Sequence, residues 1–118
     1  MDKKLIANEI DKCLRKNKFS KLYKPAIGGS DNGLTPLNLR EFAILESSIE
    51  ECSEYVDSFR FSATGEMSFS DPASKITTRV DVKFGGVALM KEVDQRPFVE
   101  SLIVDQLHIT SELKPILN

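Results

Sequence analysis

The chain has 118 residues, of which 41% are hydrophobic and 29% are charged, and its formal net charge is −2. This length suits one domain with one core, and this balance is typical of a soluble globular chain rather than a disordered one. No apolar run approaches the roughly 18–20 residues of a transmembrane helix. Asn8, Glu9 and Asp11 interrupt the apolar character that a signal peptide needs. The sequence therefore predicts a single cytoplasmic domain over residues 1–118.

Charge is unevenly distributed along the chain. Residues 1–24 carry eight basic and three acidic side chains, whereas residues 41–57 carry six acidic side chains and no basic one. Such an asymmetry can steer an oppositely charged partner, and it equally describes two solvated helix faces that attract one another.

The N-terminal segment has the pattern of an amphipathic helix from Asp2 to about Asn17. Asp2 is a suitable N-cap, and the basic residues fall late in the segment, where the helix dipole favours them. A second short helix or turn should follow and end at Lys24-Pro25. The two cysteines, Cys13 and Cys52, fall in apolar stripes and are expected to be reduced and buried.

Residues 25–35 contain three glycines and read as a loop without the signature of a phosphate or calcium site. Thr35-Pro36 is a good helix start, with an N-cap threonine before a proline at the first helical position. Phe42, Leu45 and Ile49 continue to Cys52 and Val56 in steps of three and four, which favours a helix. The alternative is a strand through residues 40–45, where apolar residues are dense.

Residues 58–90 predict one long antiparallel hairpin, because apolar or small residues alternate with polar ones on both sides of residues 71–74. A four-residue loop there gives a specific register. The predicted pairs on the buried face are Phe59/Gly86, Phe61/Phe84, Ala63/Val82, Gly65/Val80, Met67/Thr78 and Phe69/Ile76, and Glu66/Arg79 is predicted on the wet face. Gly65 and Gly85-Gly86 are the expected bending points.

A turn is predicted from Glu92 to Pro97, and a third strand from Phe98 to Ile109. The strand should carry Val99, Ile103, Leu107 and Ile109 on one face and Phe98, Leu102 and Val104 on the other. The predicted fold is α+β, with N-terminal helices packed on one face of a curved antiparallel sheet of three to four long strands. In layout alone it resembles cystatin-like and NTF2-like architectures.

Few residues point to chemistry. The single histidine, His108, could form a triad only with Cys52 and Asp105, which the predicted elements place on different faces, so a structural role is favoured. The chain has no Cys/His ligand set for zinc, and neither a metal nor another cofactor is expected. The first helix is too rich in core residues for a nucleic-acid surface, and its apolar face is too narrow for a membrane.

The sequence favours a binding protein without catalysis. An exposed acidic helix face could neutralise a basic partner, as small acidic inhibitors such as the immunity proteins of bacterial toxin nucleases do. The candidate residues are Glu46, Glu50, Glu51, Glu54 and Asp57.

Two alternatives remain open. The first is a small-ligand or enzyme pocket between helices and sheet, at a mouth formed by Phe59, Phe61, Phe84, Gly86 and the 28–33 loop. The second is a structural subunit that buries one sheet edge in an oligomer.

Overall fold

The computed structural model describes residues 2–24, 35–52, 57–71 and 75–111. Its elements, in chain order, are α1 (Lys3–Lys16), α2 (Phe19–Leu22), β1 (Thr35–Ile44), a 3₁₀ helix (Glu46–Ser48), β2 (Glu50–Glu51), β3 (Ser58–Asp71), β4 (Ile76–Val93) and β5 (Arg96–Ile109). The strands form one antiparallel sheet in the order β1-β3-β4-β5, and β2 pairs with β3 beyond the end of β1. The N-terminal helices pack on one face of this curved sheet. The predicted α+β class is confirmed, with five strands.

Helix α1 forms where the sequence predicts it. The Asp2 carboxylate accepts a hydrogen bond from the Lys4 N–H at 2.8 Å, so the first turn is capped. Ile6, Ile10 and Leu14 are buried against the sheet. This apolar stripe anchors the helix to the sheet.

One core lies between the helices and the inner face of the sheet. The β3–β4 hairpin supplies most of it, with Phe61, Met67, Phe69 and Phe84 at most 1% exposed. The outer face of the hairpin carries serine, threonine and charged side chains. The predicted alternation is confirmed for the hydrophobic side chains of the inner face except at Ile76, which is 42% exposed at the end of β4. On the outer face, Ser68 was expected in water but is only 6% exposed.

The hairpin register differs from the prediction by two residues. Phe61 lies opposite Gly86, whereas Phe84 was expected there, and Asp71 pairs with Ile76. Asp71 continues β3 and Lys75 joins the turn with φ 60°, so the loop sits one residue later than predicted. An even shift keeps every side chain on its predicted face. Glu66 and Arg79 are therefore not directly opposite one another, but Nε of Arg79 lies 3.2 Å from Oε1 of Glu66 along the diagonal.

Gly86 and Gly65 stand where neighbouring strands approach closely. A Cβ atom at Gly86 would lie 1.9 Å from the carbonyl oxygen of Ile103, and one at Gly65 would lie 2.5 Å from that of Glu41. Each glycine adjoins a register irregularity, in the β4–β5 and the β1–β3 pairing respectively. The close approach therefore requires glycine at both positions, and bending there stays a prediction.

The helix predicted from Thr35 to Val56 is wrong where the structure describes this segment. β1, the 3₁₀ helix and β2 follow one another along β3, so together they form an interrupted edge strand. The alternative, a strand through residues 40–45, is confirmed. Leu45 is 40% exposed and Ile49 is fully buried, so these two members of the supposed stripe do not share a face.

β5 is longer than predicted, and its faces were wrongly assigned. Two extra residues, Glu100 and Asp105, bulge from the pairing with β4 and change the side-chain parity twice. Phe98 and Ile103 are each 40% exposed as a result. The residues on the inner side are Val99, Leu102, Val104, Leu107 and Ile109.

The predicted turn from Glu92 to Pro97 is also too long. β4 runs to Val93, and only Asp94 and Gln95, both at positive φ, connect it to β5. Two successive positive φ values are typical of the tight type I′ hairpin turn. Residues 25–34 of the predicted 25–35 loop lie outside the described residues.

Candidate functional site

The acidic residues predicted to bind a partner are not on a helix face. Glu46 lies in the 3₁₀ helix, Glu50 and Glu51 form β2, and Asp57 precedes β3. All four are exposed, whereas Glu54 lies outside the described residues. Because successive strand residues point to opposite faces, Glu50 and Glu51 cannot share the single acidic face that the helix prediction gave them. They occupy a rim of the sheet, which we call the acidic edge (Glu46, Glu50, Glu51 and Asp57).

The backbone of the acidic edge is held in place by core packing and hydrogen bonds. The Ser48 hydroxyl accepts a bond from the Ser62 N–H at 2.8 Å, and the Leu45 N–H donates to the Ser62 carbonyl at 2.9 Å. Ile49 is fully buried, and the Cys52 N–H donates to the Ser58 carbonyl at 2.8 Å. The Ser48 side chain thus replaces the strand pairing that is interrupted between β1 and β2.

The carboxylates of the acidic edge take part in no ion pair with another described residue. The nearest basic strand residue, Arg60, is the backbone partner of Glu50, but its guanidinium pairs with Asp105 at 3.5 Å. Two of the cations of α1 pair within the helix, Lys12 with Glu9 and Arg15 with Asp11. The mutual neutralisation of two charged helices, which the sequence left open, is absent from the described part of the chain.

The sequence-derived triad is not assembled. His108 is exposed and lies opposite Lys83, in the same row of the sheet as Thr64. Cys52 is tied to Ser58, which is six residues or about 20 Å away along β3. Across residues 2–24, 35–52, 57–71 and 75–111, no three His, Cys, Asp or Glu side chains converge to hold a metal ion.

The two cysteines are free, and both are half-buried where full burial was expected. Burial raises the pKa of the Cys13 thiol, although a hydrogen bond from Asn17 and the charge of Lys16 oppose the shift. A raised pKa keeps this thiol protonated and poorly nucleophilic at neutral pH. Cys13 therefore acts as a packing residue of α1.

The predicted pocket mouth is filled. Phe59, Phe61 and Phe84 are at most 8% exposed, and Gly86 is in close contact with the β5 backbone. No buried side-chain nitrogen or oxygen of the described residues lacks a hydrogen-bond partner. The inner face of the sheet is thus a packed core, and the 28–33 loop lies outside the described residues.

A cleft between helix and sheet does exist at another place. It is lined by residues 14–19 at the end of α1 and the start of α2, and by residues 37–40 and Phe42 of β1. We call it the basic cleft, because its lining contains Arg15, Lys16, Lys18 and Arg40 and no acidic residue. Three of these cations, Arg15, Lys16 and Lys18, belong to the basic N-terminal segment that the sequence analysis identified. Arg40 was missed, because only folding brings β1 beside α1.

The acidic edge and the basic cleft lie at different places along the sheet, and in the chain they are closest at Glu46, which follows Phe42 by four residues. Glu50 lies beside Arg60 of β3, whereas Leu39 lies beside Met67. Seven strand residues separate these two positions, which corresponds to about 23 Å. The structure therefore presents two surfaces of opposite charge at different places along the same edge of the sheet.

Comparison with known proteins gives no relative. No family model, no curated protein and no solved structure matches the chain. Neither described helix has both the length and the apolar character required to cross a bilayer.

Proposed function

We propose that this protein is a non-enzymatic binding module that captures a protein partner with a basic surface through the acidic edge. The observation that carries the proposal is that Glu46, Glu50, Glu51 and Asp57 are exposed and, within the described residues, form no ion pair. Unpaired carboxylates on a fixed backbone lose little conformational entropy of the main chain on binding. Complementary charge then accelerates association.

The class of module follows from the same charge argument. A small acidic inhibitor that covers the cationic surface of a nucleic-acid-processing enzyme needs a dense row of carboxylates and no chemistry of its own. An immunity-type protein that neutralises a bacterial toxin nuclease in the cytoplasm is the specific function that we propose. Glu54, which continues the acidic stretch in the sequence, belongs to the proposed partner-binding set.

A structural role for the acidic edge makes a different prediction. Charged residues and short strands also protect sheet edges from pairing with other chains. Lysine protects an edge as well as glutamate does, so a charge reversal would preserve that role and destroy complementarity to a basic partner.

The test is affinity capture by the wild-type chain and by the double variant Glu50→Lys/Glu51→Lys, at low and at high salt, with mass spectrometry of the bound protein. The wild type should capture a basic protein at low salt and lose it at high salt, because surface charges are screened. The variant should bind the purified partner at least about tenfold more weakly, since like charges then face one another. If the partner is a nuclease, the wild type alone should inhibit it.

The matched control is Asp81→Lys/Glu100→Lys, which makes the same charge change at exposed positions on β4 and β5. Equal capture by the wild type and the acidic-edge variant would refute the proposal. An equal loss of affinity in the acidic-edge variant and the control would mean that binding depends only on net charge. That result would also count against a specific site.

A further inference from the structure

The basic cleft has the size of a small-molecule site. Its volume is about 440 Å³, which lies within the range of roughly 300–1,000 Å³ that is usual for ligand pockets. One wall comes from a helix and the other from an edge strand. Both walls of the cleft therefore include cationic residues.

The charges that line the basic cleft are only partly compensated. Asp11 pairs with Arg15 at 2.6 Å, and Glu66 approaches Arg40 at 3.9 Å. Lys16 and Lys18 have no ion-pair partner among the described residues. Glu66 is shared with Arg79, which it approaches more closely at 3.2 Å, so the four cations keep an excess of at least about two positive charges. A dianion balances this excess, whereas a single carboxylate does not.

Arg15 is held in position before any ligand arrives. Its guanidinium carbon lies 4.5 Å from the centre of the Phe42 ring, and the Asp11 carboxylate holds the Nε side. The hydrogen bond and charge of Asp11 raise the pKa of Arg15 above its ordinary value. A permanently charged guanidinium of fixed orientation suits the planar, two-pronged recognition of phosphate oxygens.

The cleft also offers an apolar contact beside the cations. Leu37 is the extra residue where the pairing of β1 with β3 shifts between Pro36 and Asn38, and it is 40% exposed. Leu39 and Phe42, which are half-buried, continue the apolar surface. A ligand with a small apolar body would cover Leu37, whereas free phosphate would leave it in water.

The end of α1 works against an anion, but only in part. Helix C-termini carry about half a negative charge. Here the Asn17 N–H and its side-chain amide both donate to the Cys13 carbonyl, at 3.2 and 2.9 Å. An excess of about two positive charges outweighs half a negative one.

We infer that the basic cleft binds a phosphate monoester with a small apolar body. Such an ester carries about −1.5 to −2 charge at neutral pH, which matches the excess. The inference is independent of the acidic edge, so either proposal can fail alone.

The probe is phenyl phosphate, titrated into ¹⁵N-labelled protein and followed by amide chemical shifts. Saturable shifts should appear at residues 15–19 and 37–40. Benzoate has the same ring but a single charge, and it should bind about tenfold more weakly. Saturable shifts confined to another part of the molecule, no saturation, or equal affinity for benzoate would each overturn the inference.

Two variants locate the site. Lys18→Gln/Arg40→Gln should weaken phenyl phosphate binding at least about tenfold, because two of the four cations are lost. Lys3→Gln/Lys4→Gln removes the same charge from the other end of α1 and should change affinity less than about twofold. The spectrum of each variant shows directly whether it is folded. Equal losses of phenyl phosphate affinity in the two variants would mean that binding depends only on net charge, and the assignment of the site to the basic cleft would be wrong.

Leu37→Ser tests the apolar contact separately. It should weaken phenyl phosphate several-fold and leave the weaker binding of inorganic phosphate unchanged. If Leu37→Ser lowers the affinity for both ligands equally, or for neither, the cleft does not recognise the apolar body of an ester, and the inferred ligand is wrong.

Discussion

The β3–β4 hairpin and the edge formed by β1, the 3₁₀ helix and β2 belong to one sheet but use their apolar residues differently. In the hairpin, β3 and the middle of β4 (residues 82–89) have strands on both sides, and most inner side chains of the hairpin are almost fully buried. In the edge, register shifts and a helical turn divide the strand, and Leu37 and Leu45 are each 40% exposed. The hairpin therefore supplies most of the core, and the edge presents more of its side chains to solvent.

This division explains why both proposed sites lie along the same edge. A central strand cannot change its side-chain parity without moving an aromatic residue out of the core. An edge strand can bulge or break, because only one neighbour constrains it. The irregularities expose Leu37 in the basic cleft and bring Glu46, Glu50 and Glu51 to the surface in quick succession.

The largest expected effect on folding is in the hairpin. Phe84 is 1% exposed and has edge-to-face contacts with Phe19 and Phe42. Phe84→Ala should lower the free energy of unfolding by about 3–5 kcal/mol, because it removes a buried ring and leaves a cavity. Urea denaturation followed by circular dichroism measures this. Phe98→Ala, at a ring that is 40% exposed, is the control. A similar cost at both positions would contradict the division between core and surface.

A smaller effect is expected where the edge is tied to the hairpin. Ser48→Ala removes the acceptor of the Ser62 N–H at a half-buried position. The expected loss is about 1–2 kcal/mol, because a partly buried donor is left without its partner. Faster amide hydrogen exchange at Ser62 should accompany it. Unchanged exchange there would show that the side chain does not hold the interrupted edge in place.

The smallest expected change in the free energy of unfolding is at Leu45, and it distinguishes the observed edge strand from the predicted helix. Leu45→Ala should cost less than about 1 kcal/mol, because the side chain is largely exposed. Ile49→Ala, four residues later and fully buried, should cost about 2–5 kcal/mol. On a helical stripe the two losses would be alike. Urea denaturation of both variants measures the two losses of unfolding free energy. Equal losses would contradict an edge strand in which Leu45 is exposed and Ile49 is buried.

The sequence misled at this edge for a specific reason. Phe42, Leu45, Ile49 and Cys52 recur in steps of three and four, as on a helix. In the structure this spacing arises because the 3₁₀ helix lies between two strand segments and adds residues between their apolar positions. Local periodicity cannot distinguish a continuous helix from a strand interrupted by a turn. The predicted acidic helix face depended on that helix, so it is wrong for the same reason.

The same reasoning applies to β5. Its apolar residues seemed to occupy both faces, because the prediction assumed an unbroken alternation. Bulges at Glu100 and Asp105 return the later residues to the inner face. Nothing in the local sequence marks these two residues as extra, since a bulge is defined by the strand opposite.

By itself, the sequence determined the first helix with its cap, the two long strands of the hairpin and the face that each strand buries. These features depend on neighbours a few residues apart, and the hydrophobic effect acts on them through local periodicity. Tertiary structure alone decided the hairpin register, the interrupted edge and the cleft whose lining combines Arg40 with the cations at the end of α1. Those features depend on residues distant in the chain that meet only when the sheet has formed. Both proposed sites lie along that interrupted edge.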